Sequence, residues 1–323
     1  MDDLFNRANR LFRAVKGSVE DMFQPEAEEA QKAFQEANKL LREGNVEDAI
    51  DRFEDAILAD PEFTPAYTWR GIACLQVDDF EAARQDFMDA LKRDSNDGQA
   101  HYGLGLALAG QGHPDKALIA FERALKITPD FAPIYQSRAE IHEAAERWEE
   151  AARDYQEALK LDPAHLPGHL KLATLLRKLK RFDEAQTSLQ SLMIQAPNFY
   201  KTYLLRGQIF FEQGNGEMAI KNLTHSISLN PEVAQSYLLR GVIYLNDGEL
   251  ELAEADFDKN LVLKSDDAKS YAYLAEIAAR REQHELMFEH LAMAKELGSN
   301  ILSLSKKEAF QPFLEDERLK ALL

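Results

Sequence analysis

Several short motifs in this 323-residue chain carry residue types that do chemistry elsewhere. Ser303-Leu304-Ser305-Lys306 has the Ser-x-x-Lys spacing of acyl-transfer enzymes. His165 and His169 stand four apart, as two imidazoles sharing a metal on one helix face do. Gly103-Leu104-Gly105, with Gly110 beyond, is glycine-rich in the manner of phosphate-cradling loops. Cys74 is a lone thiol, and Asn222-Leu223-Thr224 has the spacing of a glycosylation acceptor. Each lacks its companions. The serine motif has no other part of a penicillin-recognising site. Pro167 stands between the histidines at a predicted helix start, and no carboxylate completes a zinc set. The glycines fall on a predicted helix, follow no strand and lack Gly-Lys-Ser/Thr. Cys74 falls at a packing position, and Asn222 lies on a predicted helix. The reading is of no catalytic residue, no cofactor and no metal, so the chain is expected not to be an enzyme.

Charge narrows the partners. Acids outnumber bases 56 to 38, for a net charge of −18. Phosphate backbones need clustered Lys and Arg, so nucleic acid is excluded as a partner. A single Cys rules out an intramolecular disulfide, and a reducing, cytoplasmic compartment is the simpler expectation. No apolar run approaches the length of about 18 residues that spans a bilayer. The opening MDDLFNRANRLFRAVKG begins with acids and has no continuous apolar core or small-residue cleavage site, unlike a secretory signal.

The elements that would position any site repeat at one period. Ala49, Ala83, Ala117, Ala151, Ala185, Ala219 and Ala253 are evenly spaced at 34 residues, and the next step lands on Met287. Four residues after each comes a large apolar residue: Phe53, Phe87, Phe121, Tyr155, Leu189, Leu223, Phe257 and Leu291. Twelve before each comes a small one: Ala37, Gly71, Gly105, Ala139, Ala173, Gly207, Gly241 and Ala275. Each period reads as helix, polar turn, helix. Pro61, Pro129, Pro163, Pro197 and Pro231 close five of them, where proline stops a helix without breaking one.

The run Tyr237, Arg240-Gly241, Tyr244, Ala253 and Phe257 resembles the tetratricopeptide repeat (TPR) family. So does the run His101, Leu104-Gly105, Leu108, Ala117, Phe121, Ala124 and Pro129. The resemblance covers eight repeats without insertion: 30–63, 64–97, 98–131, 132–165, 166–199, 200–233, 234–267 and 268–301. It implies an all-α fold, a right-handed superhelical solenoid of helix-turn-helix repeats. Residues 1–29 would form an amphipathic N-terminal cap and 302–323 a C-terminal capping helix. The segments outside the array are too short for a separate catalytic domain.

Comparing the repeats with one another predicts a contact. The residue before the small one reads Glu36, Arg70, Leu104, Arg138, Leu172, Arg206, Arg240 and Leu274. Sixteen residues later the chain reads Arg52, Asp86, Ala120, Asp154, Ser188, Asn222, Asp256 and His290. Salt bridges Glu36–Arg52, Arg70–Asp86, Arg138–Asp154 and Arg240–Asp256 are therefore expected, as internal bracing and not as a ladder for phosphate or acidic peptide.

Partners follow from the resemblance, which implies that first helices line a concave groove. Its wall would include Phe34, Asn38, Thr68, Ile72, Tyr102 and Leu106, then Gln136, Glu140, Glu143 and Leu170. The favoured partner site comprises Lys171, Thr174, Arg177 and Lys178, then Leu204, Gln208, Phe211, Leu238, Val242 and Leu245. Its second part is apolar, as binding surfaces are. Its first part lies in the fifth repeat, the only positive one at +3, whereas the first and seventh are each −5. An acidic segment of a partner, or of a second copy of this chain, would suit it. A TPR subfamily that clamps chaperone carboxylates needs Lys one turn before Asn; Asn38 is present, but Phe34 stands where Lys belongs. The expected function is a protein-interaction scaffold binding a peptide or helix. The alternative is a peripheral membrane adaptor, because Leu4, Phe5, Leu11, Phe12 and Val15 lie opposite Arg7, Arg10 and Arg13. An acidic mimic of nucleic acid is a lesser alternative that the basic fifth repeat opposes.

Overall fold

The computed structural model describes residues 25–323, so the expectations for the amphipathic segment 4–23 lie outside the described residues. The described residues are helical, with no strand among them. The first repeat is α1 (Pro25–Glu43) and α2 (Val46–Ala59), and the second α3 (Thr64–Gln76) and α4 (Phe80–Arg93). Next come α5 (Gly98–Gly110) with α6 (Pro114–Ile127), and α7 (Ala132–Ala144) with α8 (Trp148–Leu161). The fifth repeat holds α9 (Leu166–Lys178) and α10 (Phe182–Gln195), the sixth α11 (Tyr200–Glu212) and α12 (Gly216–Leu229). The seventh holds α13 (Ala234–Asp247) and α14 (Leu250–Leu263), the eighth α15 (Ala268–Arg280) and α16 (His284–Glu296). Second helices start 34 residues apart throughout, so the sequence period is a structural period.

Local chemistry explains the even starts. Every second helix carries an acid at its second residue: Glu47, Glu81, Asp115, Glu149, Asp183, Glu217, Glu251 and Glu285. There the carboxylate meets the positive end of the helix dipole, so part of the net negative charge is helix-start chemistry. Asp79 and Asn215 also cap their helices, accepting from the Ala82 and Met218 amides at 3.0 and 3.1 Å. The turn between the paired helices needs one left-handed residue. Gly44, Gly112, Gly214 and Gly248 occupy it with φ of 76–86°, and Asp78, Glu146, Lys180 and Glu282 occupy it at 55–60°. Side chains with a Cβ pay for that conformation. Glu146→Gly is therefore expected to raise stability by about 0.5–1 kcal/mol, and Gly214→Val to lower it. Urea midpoints of the two variants check both signs.

The chain groups into two compact bodies, one ending at Leu179 and one running from Lys180 to Leu323. The boundary falls between α9 and α10. In the N-terminal body one continuous apolar core runs from Ala37 to Ile134 and includes Phe53, Phe87 and Phe121, each fully buried. Small residues admit the rings. A Cβ added to Gly105 would stand 2.3 Å from the Phe121 ring, and one on Gly103 2.3 Å from Phe87. Phe87 is thus held between Gly71 of its own repeat and Gly103 of the next. Each helical hairpin leaves a face that the following hairpin covers.

The C-terminal body buries its apolar residues in serial clusters around Leu223, Phe257 and Leu291. Its end differs from the single capping helix expected over 302–323. Residues 301–322 form α17 (Ile301–Leu304), a 3-10 helix (Glu308–Phe313) and α18 (Glu317–Leu322). Pro312 lacks the amide that would continue a helix. Asp316 starts α18 afresh by accepting from the Arg318 amide at 2.8 Å. Ile301, Phe310 and Leu319 are buried in one cluster with Met287, Phe288 and Leu291.

Candidate partner-binding site

Three first-helix arginines reach aspartates on the paired second helix, each by two hydrogen bonds. Arg70 meets Asp86 at 2.7 and 3.0 Å, Arg138 meets Asp154 at 2.6 and 2.8 Å, and Arg240 meets Asp256 at 2.7 and 2.8 Å. The aspartates are 3–5% exposed. Arg240 donates further to Thr224 Oγ1 at 2.9 Å. The hydrogen bonds they donate to Asp154 and Asp256 hold the Arg138 and Arg240 guanidiniums above their ordinary pKa. These cations are engaged inside the repeat, not offered to a ligand. Glu36 and Arg52 do not pair. Arg52 bonds Asp55 at 2.6 Å, one turn along its own helix, and Glu36 is exposed. With the charges exchanged, the long arginine stem starts on the second helix and carries its charge to solvent, where a local carboxylate meets it.

A second series of contacts was missed by the sequence reading. In repeats two, three, five and six the fourth residue fastens the connection from the preceding repeat by donating to a backbone carbonyl six residues earlier. Tyr67 Oη donates to Pro61 at 3.1 Å and Tyr203 Oη to Pro197 at 2.9 Å. His101 Nε2 does the same to Ser95 at 3.1 Å, and His169 Nε2 to Pro163 at 3.0 Å. A carbonyl partner fixes the proton on Nε2 in both histidines. Tyr or His recurs at this place in repeats two to eight, but the carbonyl partner leaves no mark in the sequence. His165 accepts from the Gly168 amide at 3.1 Å as the cap of α9, so the two histidines serve separate ends of one connection.

The other motifs are likewise absorbed by packing. Cys74 is 4% exposed, and burial, followed by the Asp86 charge, pushes its thiol up to about 12, which keeps it a neutral thiol. Gly103 and Gly105 lie inside α5 against phenylalanine rings. Ser303 lies on α17, where its amide donates to Asn300. Asn222 is 5% exposed and donates to the Met218 carbonyl. Among the described residues no group of three or more His, Cys, Asp or Glu is placed to hold a metal, and no helix is long and apolar enough to cross a membrane.

The expected groove is uneven. In the N-terminal body Thr68, Ile72, Tyr102, Leu106 and Gln136 are buried, at 0–5% exposure, and form no open wall. Asn38 donates to the Phe34 carbonyl within its own helix. On α9, Lys171 pairs with Glu143 at 3.0 Å, Lys178 lies 3.9 Å over the Trp148 ring, and Thr174 donates to the Leu170 carbonyl. Arg177 is half-buried on the same helix. In the C-terminal body Leu204, Gln208 and Phe211 of α11 are half-buried, as are Leu238 and Val242 of α13. Leu245 departs from the expectation: it is 1% exposed and packs with Phe257, Leu274 and Ile277. It sits in the last turn of α13, where the eighth repeat covers it. The half-exposed apolar surface is therefore Leu204, Phe211, Leu238 and Val242, on corresponding faces of two successive first helices.

Sequence-family models described as "Tetratricopeptide repeat" match residues 34–97, 75–130 and 204–268, and a further one matches 143–208. Anaphase-promoting complex subunit 3 of Schizosaccharomyces pombe is 29% identical over 107 residues, 33% of this chain and 16% of that protein. The curated relatives matched are longer proteins, of which the chain spans 11% and 16%. The solved C-terminal part of a TPR repeat-containing protein from Cytophaga hutchinsonii aligns at a TM-score of 0.64 and 15% identity, over 73% of this chain and 97% of that one. YrrB, a TPR protein with an unusual peptide-binding site, aligns at 0.53 and 21% identity, over 57% of this chain and 95% of that one.

Proposed function

The chain belongs to the tetratricopeptide-repeat family, and on that premise we propose that it is a protein-interaction scaffold whose C-terminal body takes a partner peptide or helix along α11 and α13. The observation that carries this reading is the half-exposed stripe of Leu204, Phe211, Leu238 and Val242. Apolar side chains left at a surface lower the free energy when a partner's apolar face covers them, by about 25 cal/mol per Å². Leu204 and Leu238 occupy one place in successive repeats, and Gln208 and Val242 another, so an extended or helical segment would meet a regular series of contacts. The peptide-binding site named for YrrB, and membership of a multi-protein complex for the yeast relative, support a binding role.

The test is affinity capture with the wild type and with Leu238→Asp/Val242→Asp. Both substitutions fall on half-exposed positions, so far-ultraviolet circular dichroism is expected to match the wild type. Partners held by the wild type should be lost from the variant. A folded variant that retains them would place the contact elsewhere. Leu245 is left unchanged, since an aspartate in its buried position would unfold the repeat.

A further inference from the structure

The Arg–Asp bracing has gaps, and one of them opens into a cavity. In the third repeat Leu104 and Ala120 stand where other repeats have arginine and aspartate. Leu104 lies in the wall of a cavity of about 1140 Å³ on the N-terminal body, formed by α4, α5 and α6. His101, where repeats two, four, six, seven and eight have tyrosine, lies in the same wall. Leu104 and His101 are smaller than the arginine and tyrosine that stand at these places in repeats two, four and seven.

The wall is apolar beneath and cationic around. Leu91, Leu108 and Ile127 line it together with Leu104. Its one acid, Glu81, already accepts from Arg84 and from Gln111, the latter at 2.6 Å. Lys92, also in the wall, is paired with Asp89 at 2.7 Å. Lys116, Arg123 and Lys126, on one face of α6, are exposed and form no ion pair among the described residues. Charge summed by repeat conceals this. The second repeat is −3 and the third is neutral, while the basic side chains of both converge on one trough.

His101 narrows the class of ligand. It is 7% exposed, its Nε2 donates to the Ser95 carbonyl, and its Nδ1 has no partner. With the proton on Nε2, Nδ1 is an acceptor and needs an N–H or O–H donor. A bare anion offers none. A polypeptide offers amide donors as well as carboxylates and apolar side chains.

We propose that this trough is a second docking surface, separate from the α11–α13 face, which takes an acidic peptide segment of a partner protein. Carboxylates of the segment pair with Lys116, Arg123 and Lys126, and an apolar side chain rests on Leu104, Leu108 and Ile127. In a chain of net charge −18, three unpaired cations around an apolar floor supply the complementary charge that selects such a segment.

The test is fluorescence anisotropy of the full chain with a labelled probe peptide, Glu-Glu-Leu-Glu-Glu-Leu-Glu. Lysine-for-glutamate and serine-for-leucine versions serve as controls. The wild type should bind the probe at least tenfold more tightly than either control, and Arg123→Glu/Lys126→Glu should weaken it at least tenfold. Both variant positions are exposed, so the fold is expected to persist, and circular dichroism checks it. Leu238→Asp/Val242→Asp should bind the probe as the wild type does, which separates this site from the α11–α13 face. The proposal is overturned by equal binding of a control, by no binding of the probe, by a folded double variant that binds like the wild type, or by loss in the α13 variant.

Discussion

Asp86→Ala is expected to destabilise the protein by about 3 kcal/mol. The reason is the partner left behind. Arg70 is about one-fifth exposed at its side chain, and Asp86 satisfies both of its bonding nitrogens from a nearly buried position. Without the carboxylate, the guanidinium remains half-buried near Cys74 with its charge uncompensated. Partial exposure of the arginine keeps the cost at the lower end of the range for buried pairs. An exposed pair such as Lys160–Glu157, by contrast, would cost well under 1 kcal/mol. Urea unfolding of Asp86→Ala, Arg70→Met and the double variant Arg70→Met/Asp86→Ala measures the coupling. The double variant should recover most of the loss, because it leaves no buried charge. A loss below about 1 kcal/mol for Asp86→Ala would mean that the bracing is only a surface contact.

Gly105→Leu is expected to cost about 3 kcal/mol. A Cβ at this position would already lie 2.3 Å from the Phe121 ring, which is fully buried and packs at 5.7 Å from the Tyr102 ring. Neither ring has room to withdraw, so the helices must separate. Gly105→Ala should cost less, because it adds only the Cβ against Phe121 while regaining about 1 kcal/mol of helix propensity. Adding Phe121→Leu to Gly105→Ala should restore much of that smaller loss. The combination reproduces Ala275 and Leu291, the residues at these positions in the eighth repeat, both of which are buried. Thermal or urea midpoints of the three variants decide the matter. If the second substitution deepens the loss, the close approach of Gly105 to Phe121 is not what limits packing.

How far the sequence could be read depended on whether a contact lies within one repeat. The even spacing of alanines and the small–large pairing anticipated the helices, because each repeat solves the same packing problem at the same place. The Arg–Asp series was visible because two positions vary together between repeats of one chain. Glu36 and Arg52 share that pattern in reverse, but the pattern records charge and not reach, and the longer side chain sits on the wrong helix for a buried bridge.

Contacts that cross repeats were harder to see. Leu245 has the sequence character of a groove residue, yet the eighth repeat covers it. A single capping helix over 302–323 is broken by Pro312, since a proline beyond the first turn interrupts a helix. The fastening role of His101 and His169 depends on a carbonyl six residues earlier, which no side-chain pattern displays. The basic trough was hidden for a similar reason, since its cations come from two repeats whose own totals are negative and neutral.

The most direct test of the binding account is site-specific photo-crosslinking from Val242, compared with crosslinking from Lys259, an exposed residue of the second helix α14. The account predicts a partner adduct from position 242, lost when Leu204 and Leu238 are both changed to aspartate, and none from position 259. Adducts from 259 with none from 242 would contradict it.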